Sequence, residues 1–223
     1  MNDPRFRHHV GVGLLKFPRE RSVFINCPFT ADYTPMFDAV VFSSLACGFL
    51  PRCALESGSV SVSRMDRILG AMSASKYSIH DLTLCKGQGD LNLARFNMPL
   101  ELGIAMAQRF ASTPESPDTH DWLVLVPTDH VYQRVISDLA GYDPGTYDLS
   151  VEGIIPAVMS WLASRDDAIV TATPRAVQEV LPQFTTRKEE LVAAWGTKLP
   201  WTDLLVAGIE VIRDAGLIPP NGN

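Results

Sequence analysis

The sequence predicts an α/β fold, with a flavodoxin-like parallel five-stranded sheet (order 2-1-3-4-5), helices on both faces and a C-terminal helical extension. Three observations carry that prediction. Between residues 21 and 150, short β-favouring apolar runs alternate with helical stretches of about 10–15 residues. Such alternation requires a parallel sheet covered on both faces, and five units in a row suit the 2-1-3-4-5 order. After residue 150 the pattern turns wholly helical. The chain therefore divides into an arm (1–20), an α/β domain (21–150) and an extension (151–223).

The elements follow in order. Residues 1–20 read as a loose arm. Residues 22–27 are apolar and β-favouring, and are predicted as strand 1. Their loop leads to Thr34 as N-cap and Pro35 at the first helical position, and the helix 35–47 stops at Gly48. Strand 2 is expected at 50–55, with Pro51 marking it as an edge. Ser63 caps a helix over 64–74. Strand 3 covers 77–82 and opens into a loop holding Gly87, Gly89 and Asn92. Asn97 is expected to cap the next helix, whose first turn tolerates Pro99. Strand 4 at 122–126 precedes a helix at 129–140 and a short strand near 146–149. Helices at 151–164, 174–182, 186–195 and 201–215 close the chain. They are expected to pack on the sheet domain or to mediate assembly.

Composition narrows the function. The 223 residues carry a net charge of −6, with 46% hydrophobic and 20% charged residues, the profile of an ordinary globule. Basic residues form no stripe, so duplex nucleic acid is not an expected partner, whereas a single nucleotide is not excluded. No apolar stretch reaches the roughly 18 residues that span a bilayer. The N-terminus lacks a secretory apolar core and cleavage site, so the cytoplasm is the expected location. Cys27, Cys47, Cys53 and Cys85 form no CxxC pair, and the five histidines do not cluster. Buried free thiols and no metal are expected.

One charge stands out. In Asn97-Met98-Pro99-Leu100-Glu101-Leu102-Gly103-Ile104-Ala105, Glu101 is the single ionisable group at an otherwise apolar helix start. Its helical neighbours Met98, Ile104 and Ala105 cannot neutralise it, and Gly103 and Ala105 are small enough to leave room for a ligand. In an open parallel sheet, ligands lie beyond the strands' carboxyl ends where strand order reverses. That rule gathers Asn26, Phe29, Tyr33, His80, Asp81, Asn97 and Glu101. Two carboxylates, aromatic rings and amide donors suit a sugar carrying a base. A carboxylate kept ionised in a partly dry hollow can stabilise an oxocarbenium-like sugar or attack its anomeric carbon. Asp81 either grips ribose hydroxyls or caps the loop after strand 3. Asn97 is a helix cap, a ligand contact or both, and His80 reads as a satisfied core histidine. Phe29 and Tyr33 read as an aromatic lid or as packing, and Arg95 meets a phosphate or stays exposed. Neither GxGxxG nor a Walker motif occurs, which argues against dinucleotide hydride transfer and P-loop hydrolysis.

Val23-Phe24-Ile25-Asn26-Cys27-Pro28-Phe29, the His80-Asp81-Leu82 strand end and the Glu101 segment together resemble the TIR-like and nucleoside 2-deoxyribosyltransferase-like superfamily. The resemblance covers about residues 22–140. It implies a flavodoxin-like fold and cleavage of N-glycosidic bonds. The transferases place a Pro-Phe loop after strand 1 and a nucleophilic Glu in an E-L-G-x-A helix, which Pro28, Phe29 and Glu101 match. In bacterial TIR-like proteins the corresponding Glu supports cleavage of the nicotinamide–ribose bond of NAD, often in antiphage defence. Arg95-Phe96-Asn97 departs from the transferases, which carry a further acidic residue there. The expectation is thus an N-glycosidic hydrolase that cleaves NAD as substrate, with no cofactor. The rival readings are a non-catalytic nucleotide-sensing assembly module and a nucleoside (deoxy)ribosyltransferase. By the same resemblance, a homo-oligomer would complete the site from a neighbouring subunit.

Overall fold

The computed structural model describes residues 17–56, 61–85, 96–111, 120–134, 136–196 and 198–217. Five strands, β1 (Ser22–Asn26), β2 (Leu50–Arg52), β3 (Tyr77–Asp81), β4 (Asp121–Pro127) and β5 (Gly145–Tyr147), form one sheet. All neighbours are parallel and the order is β2-β1-β3-β4-β5, as the sequence predicts. The helices are α1 (Thr34–Ala46), α2 (Arg64–Ser73), α3 (Asn97–Phe110), α4 (Val151–Ala163), α5 (Pro174–Trp195) and α6 (Trp201–Asp214).

Strand alternation sets the two layers, because successive side chains point to opposite faces. Val23, Ile25, Ile79, Leu123 and Leu125 join the cluster built with α1 and α4. Phe24, Trp122, Val124 and Val126 face α2 and α3. Helix α1 is buried at every position from Phe37 to Ala46, since α5 and α6 cover the side the sheet leaves open. A helix that is apolar all round needs such a wrapping. Phe42 stacks on Phe184 of α5 with ring centroids 5.1 Å apart, and Phe37 lies 6.0 Å from Trp201 of α6. The buried Asp38 of α1 accepts from Lys188 Nζ of α5 at 2.7 Å through both oxygens. The C-terminal helices therefore pack on the sheet domain. Within them α4 contacts β4 and β5 directly and completes that domain, so only α5 and α6 form an added layer.

Several boundaries differ from the sequence reading. The end of the predicted arm is docked: Phe17 packs on the core, and Arg19 Nε donates to Ser73 O at 3.1 Å. Thr34 is not a cap. A 3-10 turn at Ala31–Tyr33 runs into the helix, so Thr34 is already helical and its hydroxyl donates to Thr30 O. Asn97 is not a cap either, because Phe96 is itself helical in conformation and no side chain caps α3. Strand β2 ends at Arg52, where a turn closed by Glu56 N–H to Cys53 O leaves the ladder. The helix expected at 129–140 is instead two 3-10 turns, Val131–Arg134 and Ser137–Gly141. Ile136 between them is non-helical (φ −132°, ψ 73°), which breaks the run. Conversely, 174–195 is a single helix through Pro182. Val177, Leu181 and Phe184 continue one buried stripe across the proline, and that packing outweighs the lost backbone bond.

Candidate functional site

The carboxyl ends of β1 and β3 meet the first turns of α3 at the strand-order reversal. Asn26, the last residue of β1, ties them together. Its amide donates to Met98 O in the first turn of α3 and to His80 Nδ1, both at 3.0 Å. With Nδ1 accepting, His80 carries its proton on Nε2 and donates to Ser78 Oγ at 2.8 Å. Ser78 then donates to His120 Nε2 at 2.8 Å, and His120 Nδ1 donates to Ser75 O at 3.1 Å. Every member is buried and the relay runs one way. It needs a neutral His80 ring, and burial followed by the neighbouring His120 lowers the His80 pKa to about 3. His80 is the satisfied core histidine the sequence implies.

Glu101 follows one turn after Met98. Its side chain is turned inward, leaving the residue 6% exposed. Among the described residues it has no hydrogen-bond or ion-pair partner. Burial raises its pKa from 4.5 to about 7, opposed by the charge of Arg64 at the start of α2. Cys27, next after Asn26, feels the same centre. Its thiol is pushed well up by burial first, then by Asp81, Cys53 and Glu101. Gly103 is exposed with open space around it, whereas Ala105 is fully buried against Phe24 and the α2 side chains.

Of the two readings of the second carboxylate, the structure shows the loop cap. Asp81 is fully buried. Its Oδ2 accepts from Tyr33 and Tyr147 hydroxyls, each at 2.7 Å, and Oδ1 accepts from Thr83 N–H at 2.8 Å. It cannot reach a ribose and instead clamps three segments at the sheet's carboxyl edge. Burial raises its pKa, with the hydrogen bonds from Thr83, Tyr147 and Tyr33 opposing. Tyr33 is consequently a buried pin and not a lid; burial and then Asp81 raise its own pKa. Tyr147→Phe should remove one donor from a buried carboxylate and destabilise the fold by about 1.5–3 kcal/mol. Urea unfolding at pH 7 measures this, and an unchanged midpoint would remove the clamp role.

Phe29 remains an exposed aromatic, packed edge-on against Phe37 at 5.5 Å. It borders a cavity of about 300 Å³ on the α1–α6 side of its loop, which neither Glu101 nor Asp81 lines. Asn97 is exposed at the start of α3, and Arg95 lies outside the described residues. The four cysteines are free and buried, as expected, and burial lifts the pKa values of Cys47, Cys53 and Cys85 to about 12. Thiolate chemistry is thereby disfavoured. Among the described residues no three His, Cys, Asp or Glu side chains converge on a metal-sized gap, and no helix is long and apolar enough to cross a membrane.

The chain matches no protein-family model, no curated protein and no solved structure. Its chemistry rests on the residues themselves. Of those expected, the structure brings Asn26, Tyr33, Asp81 and Glu101 to one edge, and among these Glu101 is the one whose side chain makes no hydrogen bond to the described residues. Arg64, Cys27 and Tyr147 were not foreseen as members. Arg64 stands on another helix and Tyr147 on another strand, so no local spacing marks them.

Proposed function

We propose that this protein hydrolyses an N-glycosidic bond, with NAD as the first substrate, giving nicotinamide and an ADP-ribose product. The observation that carries the reading is Glu101, an inward carboxylate at the strand-order reversal with no protein partner among the described residues and a pKa near 7. A cationic pyridinium or ribosyl centre beside it would draw that pKa down and hold the ionised form in place. The bond from ribose C1′ to the nicotinamide nitrogen breaks, and its electron pair leaves with nicotinamide. The oxocarbenium ion left behind faces the Glu101 carboxylate, and water adds to C1′ with its proton passing to that carboxylate. Asn26 positions Glu101 through Met98, and the Asp81 clamp fixes the β3 end. Arg64 supplies a cation for the diphosphate.

The test is nicotinamide release from NAD over a range of protein concentrations, for wild type and Glu101→Gln. The variant should lose activity by at least about 100-fold, and equal release would defeat the assignment. A dependence on protein concentration would mark a site completed by a second copy. One observation favours the second reading, nucleotide sensing without turnover: the carboxylate expected to orient ribose is fully engaged by tyrosines. Thermal stabilisation by NAD without product would select it.

A further inference from the structure

The cavity behind the Pro28-Phe29 loop is separate from the Glu101 site, and it has the makings of a ligand site of its own. It lies where the sheet domain meets the added α5–α6 layer, a place where binding pockets recur, and its volume of about 300 Å³ is at the lower end of the usual range. Three rings furnish flat walls: Phe29, Phe37 and Trp201, with Phe37 set 5.5 Å from Phe29 and 6.0 Å from Trp201. Its charge is one-sided. Lys188 and Lys198 line it and no Asp or Glu does. Lys188 is matched by Asp38 behind it, at 2.7 Å. Lys198, exposed in the linker before α6, has no ion-pair partner among the described residues, so one positive charge stays unmatched. The geometry points to a second binding site that takes a small organic anion with a flat aromatic or heteroaromatic body, the ring between Phe29 and Trp201 and the acid group toward Lys198.

A flat body is selected because aromatic walls favour offset or edge-on ring contact. An acid group is selected because an unmatched ammonium at the mouth attracts anions and repels cations. Both aryl carboxylates and nucleoside monophosphates carry this chemistry. Isothermal titration of the full-length protein with indole-3-acetate, indole and tryptamine separates the contributions. Indole-3-acetate should bind saturably at one site, indole at least tenfold more weakly, and tryptamine not at all. Lys198→Glu, at an exposed position, should weaken the acid at least tenfold, while Glu101→Gln should leave its binding unchanged. Displacement by adenosine monophosphate would assign the site to nucleotides; binding of the indole acid without displacement would assign it to aryl carboxylates. Three results would overturn the proposal: no saturable binding of the acid, equal binding of all three probes, or indifference to Lys198→Glu. Because these readouts do not involve turnover, they stand or fall independently of N-glycosidic activity.

Discussion

Glu101→Gln is expected to make the protein more stable above neutral pH, with no comparable gain in acid. Burial raises the folded-state pKa of this carboxyl from 4.5 to about 7. The fold therefore favours the protonated form. The stability that form contributes is complete below about pH 4.5 and is lost as pH rises through about 7. A glutamine resembles the protonated acid at every pH and never meets the loss. Each unit by which a carboxyl pKa is raised corresponds to about 1.36 kcal/mol, so the variant should exceed wild type by about 3 kcal/mol at pH 8. The two should coincide near pH 4. Denaturant unfolding of both proteins at the two pH values measures the difference. An equal difference at both would mean that Glu101 reaches bulk water. The prediction joins stability to function: the side chain proposed to carry out the chemistry is one the fold would hold more readily without its charge.

Lys188→Met is expected to destabilise the protein by about 3–5 kcal/mol, the cost of leaving a buried carboxylate without its partner. Asp38 is 3% exposed, and Lys188 bonds both of its oxygens. Burial already raises the Asp38 pKa, with Lys188 opposing, so removal of the lysine would push the carboxyl further toward the neutral form. The double change Asp38→Leu with Lys188→Met should recover most of the loss, because it removes both desolvated charges. Urea midpoints of the two variants at pH 7 test the pair. A single variant as stable as wild type would show that water, and not the lysine, satisfies Asp38.

Much of the fold was legible because its signals are local. The alternation of strand runs with helices, Ser63 before α2 and Pro51 at the sheet edge each follow from a few neighbouring residues. Glu101 was legible for a related reason: one charge in an apolar helical run must be either exposed or specially held. The misread positions depend on distant partners. For Asp81 the sequence leaves a loop cap and a ribose grip open, and only Tyr33, 48 residues earlier, and Tyr147, 66 residues later, show how fully it is enclosed. Pro182 looks like a helix end until Leu181 and Phe184 are seen anchored on α1. Thr34 and Asn97 look like caps until the preceding residues prove to be already wound. In each case a local preference gives way to long-range packing or to the conformation of the incoming chain.

The enclosure of α1 has a practical consequence for anyone dissecting this protein. A fragment cut after α4 would bare Phe42 and Leu45, which Phe184 and Gly208 now shield. Such a fragment presents a sticky ridge where the intact molecule presents the polar outside of α5. The sheet domain and its helical coat thus share one apolar core, and experiments on either half in isolation would report on aggregation before they report on chemistry.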